Sequence, residues 1–445
     1  MALSPLANRY RSVVQGLEDV FSDKQYFLAR LRIEFAYLAI LTQHKGYNTD
    51  EVFKKYEWVM QLDAPEINNC YEEFCKIDAT TQHDVKALEY FIKSRICEDS
   101  PNSKEIINLI HCGLTSQDVN SLGFTWMLSN AIKFVADEWE QFADGVSTFL
   151  EKINTIAMGY THGQPAIPVN MGKELHKHYR KMSTIFLRLR MVELTAKFAS
   201  STGNYSTLLV VFGGIDKIQK MQQQLCEMLD INVKFTLHPR QIDDYTSYVD
   251  LLQLIQQLAL NLKEFALNVW LRITRGELIQ IKRPGEIGSS VMSHKINPWR
   301  LEQAEATSNI IHGLCDAVIR TISVSRDSRD MSDSYALRYI GEIFGNLILL
   351  FRSICNDISR LEPNRPIIAA SLDANWSSLS EYIQTYLRWN CPAIEDPYKL
   401  LADFTKGHEI THDKLLEFIT SLPIEDHHKE SLRAIEIKQY VGVYP

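Results

Sequence analysis

Residues Leu128–Ile153 read LSNAIKFVADEWEQFADGVSTFLEKI, with large apolar side chains at Leu128, Ile132, Val135, Trp139, Phe142, Val146, Phe149 and Ile153. The steps of 4, 3, 4, 3, 4, 3 and 4 are heptad spacing, which lines these side chains along one side of a helix. No proline occurs between Pro101 and Pro165, so nothing there interrupts a very long helix. A second proline-free stretch, Pro239 to Pro284, carries a similar stripe at Leu251, Leu254, Leu258, Leu262, Phe265, Val269 and Ile273. Its other faces hold Leu252, Ile255, Leu260, Ala266 and Leu267. A helix apolar nearly all round is expected to lie buried among other helices.

Three further long helices are expected: Met171 to Phe198, Glu302 to Ile322, and Tyr335 to Leu361. In the first, Met171, Leu175, Tyr179, Met182, Phe186 and Leu189 share a face. Strand-like alternation is scarce, the best candidate being Leu208–Phe212. The fold class is therefore all-α, or nearly so, around five long helices. A helix of about 35 residues spans roughly 50 Å. Stripes of that length favour association of several chains along their sides, so a homo-oligomer is expected. Shorter, proline-punctuated segments flank the core. They divide the chain into an N-terminal unit at 1–105, a long-helix unit at 106–362 and a C-terminal unit at 363–445.

Composition removes several function classes. Apolar residues make up 45% and charged residues 23%, an ordinary globular profile. A net charge of −8 argues against a nucleic-acid-binding protein. No run of 18 apolar residues exists, so no membrane partner is expected. The eight cysteines show neither C-x-x-C nor zinc spacing and read as reduced, mostly buried thiols. The first ten residues lack the pattern of a signal peptide, so a cytoplasmic address is expected.

Four polar segments interrupt the helical texture. Thr80-Thr81-Gln82-His83-Asp84-Val85-Lys86 reads as a helix start capped by Thr80 or Thr81, which leaves the histidine unexplained. His111-Cys112-Gly113-Leu114-Thr115-Ser116-Gln117-Asp118 precedes the heptad helix and reads as a cap or an anion site. Tyr160-Thr161-His162-Gly163-Gln164-Pro165 places an imidazole between a glycine and a constrained chain. Gly285 to Pro298 is a long loop holding Ser289, Ser290, Lys295 and Asn297 between buried helices, where function concentrates more than packing does. No P-loop, dinucleotide fingerprint or H-E-x-x-H is present.

The last segment resembles the S-S-x-M-P-x-K-x-N signature of the fumarase/aspartase superfamily. The Q-H-D-V-K, T-S-x-D, T-H-G-Q-P and S-R-x-x-R-D segments, in that order, resemble adenylosuccinate lyases of the bacterial type over nearly the whole length. The resemblance implies a homotetramer with a twenty-helix core, five helices from each chain, and sites shared between subunits. It implies β-elimination of fumarate from adenylosuccinate and from the succinyl-carboxamide ribotide of purine synthesis, without metal or organic cofactor. Argininosuccinate lyases, carboxymuconate cycloisomerases and an inactive scaffold paralogue are the alternatives.

Carried over by motif, Ser289 matches the general base and His162 the general acid. His83 supports the acid side, and Lys295 and Asn297 hold the succinyl carboxylates. Arg9, Tyr10, Arg329, Ser334 and Arg338 match nucleotide and phosphate contacts. Gln82, Asp84, Thr115, Ser116, Thr161, Gln164 and Ser290 line the same site. This chain departs from the family at Ser293, where the signature has proline, and at Gln82, where asparagine is usual. The family's Thr-Gln contact is replaced by Gln241 or His238. The loop is expected to be looser for its missing proline.

Overall fold

A computed structural model describes residues 4–96, 102–285, 287–407 and 409–443. The five expected long helices are present as Ser116–Lys152, Met171–Arg190, Thr246–Thr274, Trp299–Ile322 and Ile340–Ile358. Of the heptad residues from Leu128 to Ile153, all but the half-buried Ile132 are buried, none of them above 7% exposure. Two ends differ from expectation. The helix from Met171 stops at Arg190, before a short strand at Thr195–Ala196. The fifth is split into Ser332–Leu337 and Ile340–Ile358.

The strand expectation at Leu208–Phe212 is wrong: that run lies in the helix Ser206–Phe212. Leu208 and Phe212, four residues apart, are its buried residues, so a continuous apolar run was helical rather than extended. Among described residues the one substantial strand pair is the antiparallel hairpin of Ile156–Thr161 and Gln164–Asn170. Its register shifts between Met158 and Tyr160, beside Gly159, where a Cβ would meet the Ile167 carbonyl at 2.6 Å. Two prolines in its second strand disguised it as a loop.

The chain divides into two compact units, each assembled from separate stretches. The first comprises 1–139, 184–259 and 307–350. Its N-terminal helix Asp23–Lys45 is capped by Ser22 Oγ and ended by Gly46 at φ 70°. That helix is buried from Phe27 to Thr42 except at Arg32, and it packs on both sides. One cluster joins it to Ala64–Thr81 and Asp84–Lys93 through Phe27, Phe74 and Phe91; the other joins it to Ile215–Leu229 through Tyr37, Phe198 and Leu225. Trp139 stacks on Phe186 at 4.4 Å, and Ser308 donates to the Ala259 carbonyl, locking four of the long helices in pairs.

The second unit comprises 140–183, 260–306 and 351–445. Phe142 stacks on Phe351 at 5.0 Å and Phe149 meets Phe265 edge-on, so three long helices share one core. The Thr246–Thr274 helix is not buried all round as expected: Leu260, Leu267 and Leu271 are 51%, 36% and 41% exposed. Among described residues no helix is long and apolar enough to cross a membrane. The seven described cysteines are free, and three of them are buried; Cys97 lies outside the described residues.

Candidate active site

In the first unit, a cleft of about 950 Å³ gathers residues from the Q-H-D-V-K and T-S-x-D segments and from the S-R-x-x-R-D region. Gln82, His83, Asp84, Ser116, Arg329, Ser334 and Arg338 all line it. The volume suits a nucleotide-sized ligand. At one wall, Gln82 ends a helix in the left-handed region (φ 51°), and the chain reverses into Asp84–Lys93. Neither Thr80 nor Thr81 caps that second helix. His83 does, its Nδ1 accepting from the Lys86 amide at 3.2 Å. The ring's proton is thereby placed on Nε2, leaving a fixed N–H donor. Asp84 accepts from Arg30 at 2.6 Å. Burial pushes its carboxyl up, but Arg30 outweighs that and holds it below the ordinary carboxylate range.

The opposite wall is built around Arg329, whose side chain is 14% exposed. Its Nη2 donates to Ser334 Oγ at 2.9 Å and its Nη1 to Gln241 Oε1 at 3.3 Å. With its amide oxygen turned toward the guanidinium, Gln117 accepts at 2.5 and 3.2 Å. Asp333, held by the Tyr245 hydroxyl at 2.7 Å, lies 3.9 Å from Arg329 Nε. Three neutral acceptors and one distant carboxylate leave most of this cation's charge free to meet an anion. Arg338 is more open, with Asp23 at 3.7 Å. Between the walls, burial pushes the Tyr26 phenol up to about 12.

The Thr115–Ser116 turn is set by a buried ion pair that the sequence did not single out. Asp118 accepts from the Thr115 amide at 2.8 Å, from the Ala199 amide at 2.7 Å, and lies 2.6 Å from Lys197 Nζ. Both side chains are 0% exposed. Asp118 stood in a quoted motif, but Lys197 fell near the end of the expected Met171–Phe198 helix with nothing to mark it, and only the fold pairs them. Nearby, His111 Nδ1 meets the buried Glu34 at 2.6 Å. Arg9 and Tyr10 do not line the cleft. Arg9 lies over the Tyr10 ring, and Tyr10 packs on the Leu6–Val14–Leu349 cluster.

In the second unit, Thr161 and Gln164 close the hairpin as a register pair around His162 and Gly163. Both turn residues have positive φ, 51° and 74°, as a two-residue hairpin turn of the I′ kind requires. The imidazole thus projects, exposed, from the tip of a rigid ribbon. Arg275 stacks on the Tyr160 ring at 3.9 Å beneath it.

The serine loop is organised about Ser289. Its Oγ accepts from the Met292 amide at 3.1 Å and, more weakly, from the Val291 amide at 3.4 Å. Such donors stabilise negative charge on that oxygen. The Lys295 amide donates to the Met292 carbonyl at 3.1 Å, a β-turn with Ser293 at its second position. Ser290 and Lys295 are exposed, and Asn297 is half-buried. Glu286, within the loop, lies outside the described residues. Among described residues no cluster of metal-ligating side chains occurs.

Comparison with known proteins finds similarity over nearly the whole chain. A family model described as Lyase matches residues 30–313, and one described as Adenylosuccinate lyase C-terminal matches 325–441. Adenylosuccinate lyase of Escherichia coli K12 is 30% identical over 446 residues, covering 99% of this chain and 96% of its own. That of Dictyostelium discoideum is 32% identical over 461 residues, covering 100% and 97%. Among solved structures, a fumarate lyase from Mesorhizobium sp. BNC1 has a TM-score of 0.73 at 15% identity, over 96% of this chain and 95% of that one. A β-carboxy-cis,cis-muconate cycloisomerase from Acinetobacter calcoaceticus sp. ADP1 has a TM-score of 0.70 at 14% identity, over 98% and 97%. Those two share the fold. The family-model and full-length matches make the chain a lyase of the fumarase/aspartase superfamily. Within that class the full-length similarity is decisive: the chain belongs to the adenylosuccinate lyase family of C–N lyases.

Proposed function

We propose that the chain cleaves adenylosuccinate to AMP and fumarate, and cleaves the succinyl-carboxamide ribotide of purine synthesis to its carboxamide and fumarate. The observation that carries the chemistry is the pair of amides converging on Ser289 Oγ. A serine hydroxyl is a poor base in water, and donors aimed at its oxygen lower the cost of the alkoxide. Ser289 takes the proton from the carbon beside a succinyl carboxylate, and charge develops on that carboxylate. Lys295 and Asn297, on the same loop, stabilise it there. The C–N bond then breaks, and His162 gives the departing nitrogen its proton. His83, fixed as an Nε2–H donor, supports the acid side.

In this reading the cleft around Arg329 takes the nucleotide, with the phosphate on Arg329, Ser334 and Arg338. Gln82, Asp84, Thr115, Ser116 and Gln241 shape that pocket, and Thr161, Gln164 and Ser290 flank the reacting end. Arg9 and Tyr10 reach a phosphate from a neighbouring subunit. The exposed Leu260, Leu267 and Leu271 face supports assembly as a cytoplasmic homotetramer with shared sites. The division at 1–105, 106–362 and 363–445 belongs to the same reading.

The test is fumarate release from adenylosuccinate, followed by absorbance. His162→Ala and Ser289→Ala should each lower kcat about 10²–10⁴-fold. Co-refolding the two variants should restore roughly a quarter of sites if the residues come from different chains. A folded Ser289→Ala enzyme with near-full turnover would remove serine from the mechanism. Mixed tetramers without recovery would remove the shared site.

A further inference from the structure

The serine loop leaves the strand Leu278–Gln280 and re-enters the helix Trp299–Ile322, and both junctions meet the same buried carboxylate. Asp357, near the end of the helix Ile340–Ile358, is 1% exposed. Its Oδ2 accepts from the backbone amides of Arg300 and Leu301 at 3.2 and 3.3 Å, in the first turn of the helix that follows the loop. Its Oδ1 accepts from Gln280 Nε2 at 3.3 Å, at the end of the strand that precedes it. The Arg300 guanidinium lies 3.8 Å from that oxygen. The next residue along the chain, Ile281, is held by Arg360, its amide donating to the Arg360 carbonyl at 2.8 Å.

Helix starts are ordinarily capped by the residue next door. Here the acceptor comes from 57 positions away, which lets one group answer for both ends of the loop. The loop is also closed on itself: a Cβ on Gly288 would stand 2.3 Å from the Lys295 carbonyl oxygen. Ser289, beside Gly288, therefore shifts with Lys295, and Lys295 and Asn297 lie within five residues of Arg300.

We propose that Asp357 is the positioning residue of the serine loop, setting the placement of Ser289, Lys295 and Asn297 by tying both loop ends to one point. It touches no substrate, and the inference rests on the assignment of those three residues to the reaction. Misplacement of a reacting group by about 1 Å can cost on the order of 10²-fold in rate.

The experiment compares Asp357→Ala, Asp357→Asn, Gln280→Ala and the double Asp357→Ala/Gln280→Ala in the assembled enzyme. Fumarate release from adenylosuccinate is measured alongside hydrogen exchange across 287–298 without ligand. Asp357→Ala should lower kcat by about tenfold or more while KM stays within about threefold. Exchange should rise in the loop and not in the hairpin 156–170. Gln280→Ala should lower kcat severalfold alone and not at all in the Asp357→Ala background, because the tie is already cut. Asp357→Asn should recover much of the loss, since its oxygen can still accept from the helix amides and Gln280 can turn to meet its NH₂. A folded Asp357→Ala enzyme with kcat within about twofold of wild type, or additive effects in the double variant, overturns the proposal. If Asp357→Ala does not fold, Gln280→Ala decides: unchanged kcat and unchanged loop exchange overturn it. Wild-type enzyme that releases no fumarate would instead overturn the functional reading, and loop exchange would still decide the tie.

Discussion

Asp118→Asn is the substitution whose consequence follows most fully from the geometry. It keeps the shape of a side chain that is 0% exposed and removes the charge facing Lys197 Nζ at 2.6 Å. At an effective dielectric of about 20 that attraction is worth about 6 kcal/mol before desolvation is subtracted. Burial already pulls the Lys197 ammonium below the ordinary lysine range, with Asp118 the main force opposing it. Without the carboxylate, the amine escapes its penalty by losing a proton, which from an ordinary pKa near 10.4 costs about 4 kcal/mol at pH 7.5. The loss should therefore be about 3–4 kcal/mol there, within the range for breaking a buried pair. The sign with pH is fixed. The folded variant holds Lys197 neutral while the unfolded chain protonates it, so the unfolded state binds one more proton. Stability of the variant relative to wild type should rise by about 1.4 kcal/mol per pH unit from pH 7.5 to 9.5. Adding Lys197→Met removes the buried cation, so the double variant should be more stable than Asp118→Asn alone and lose that slope. Urea unfolding at fixed protomer concentration measures all three. A pH-flat Asp118→Asn, or a double variant no more stable than it, would refute the reasoning.

Arg329→Gln should raise KM for adenylosuccinate roughly 10- to 150-fold, the equivalent of about 1.5–3 kcal/mol for a charged hydrogen bond, and leave a phosphate-free analogue unaffected; steady-state kinetics on both compounds checks it. Ser293→Pro places proline at the turn position that favours it and should slow loop exchange and tryptic cleavage at the exposed Lys295 about two- to fivefold, with kcat kept. Burial opposes protonation of His111, but Glu34 wins and holds the imidazole above its ordinary 6.5. The pair's stabilisation is therefore fully present below pH 6.5 and lost as pH rises through the folded-state value. His111→Gln should abolish that part of the pH dependence in thermal unfolding.

Periodicity made the long helices legible because a stripe such as Leu128–Ile153 reports its own period over many turns. It failed where the signal is short. Five apolar residues at 208–212 fit a strand or a buried helix equally well, and helical spacing from Tyr335 onward could not reveal the break before Ile340. The hairpin at 156–170 was hidden because prolines mark loops more often than edge strands. At the site, the ordered motifs pointed to the residues proposed to carry the chemistry. The groups that hold them stayed invisible: Lys197 meets Asp118, Tyr245 meets Asp333, and Asp357 meets Arg300 only after the chain has folded. Gln82 shows the reverse case. The structure puts it in the left-handed region, which supplies the physical reason for the family's asparagine there.

On the role proposed for His162, the turn that carries it sets a chemical duty against a conformational one. Its φ of 51° suits asparagine better than histidine, and asparagine before glycine is the favoured pair for this turn. A change to asparagine at 162 should give a protein that folds at least as well, assembles normally and has lost the proton donor proposed for the reaction. Selection for thermal robustness alone would drift the ribbon in that direction; only demand for turnover keeps the imidazole in place. A sister gene freed from that demand would be one step from a sturdier, silent copy of the enzyme.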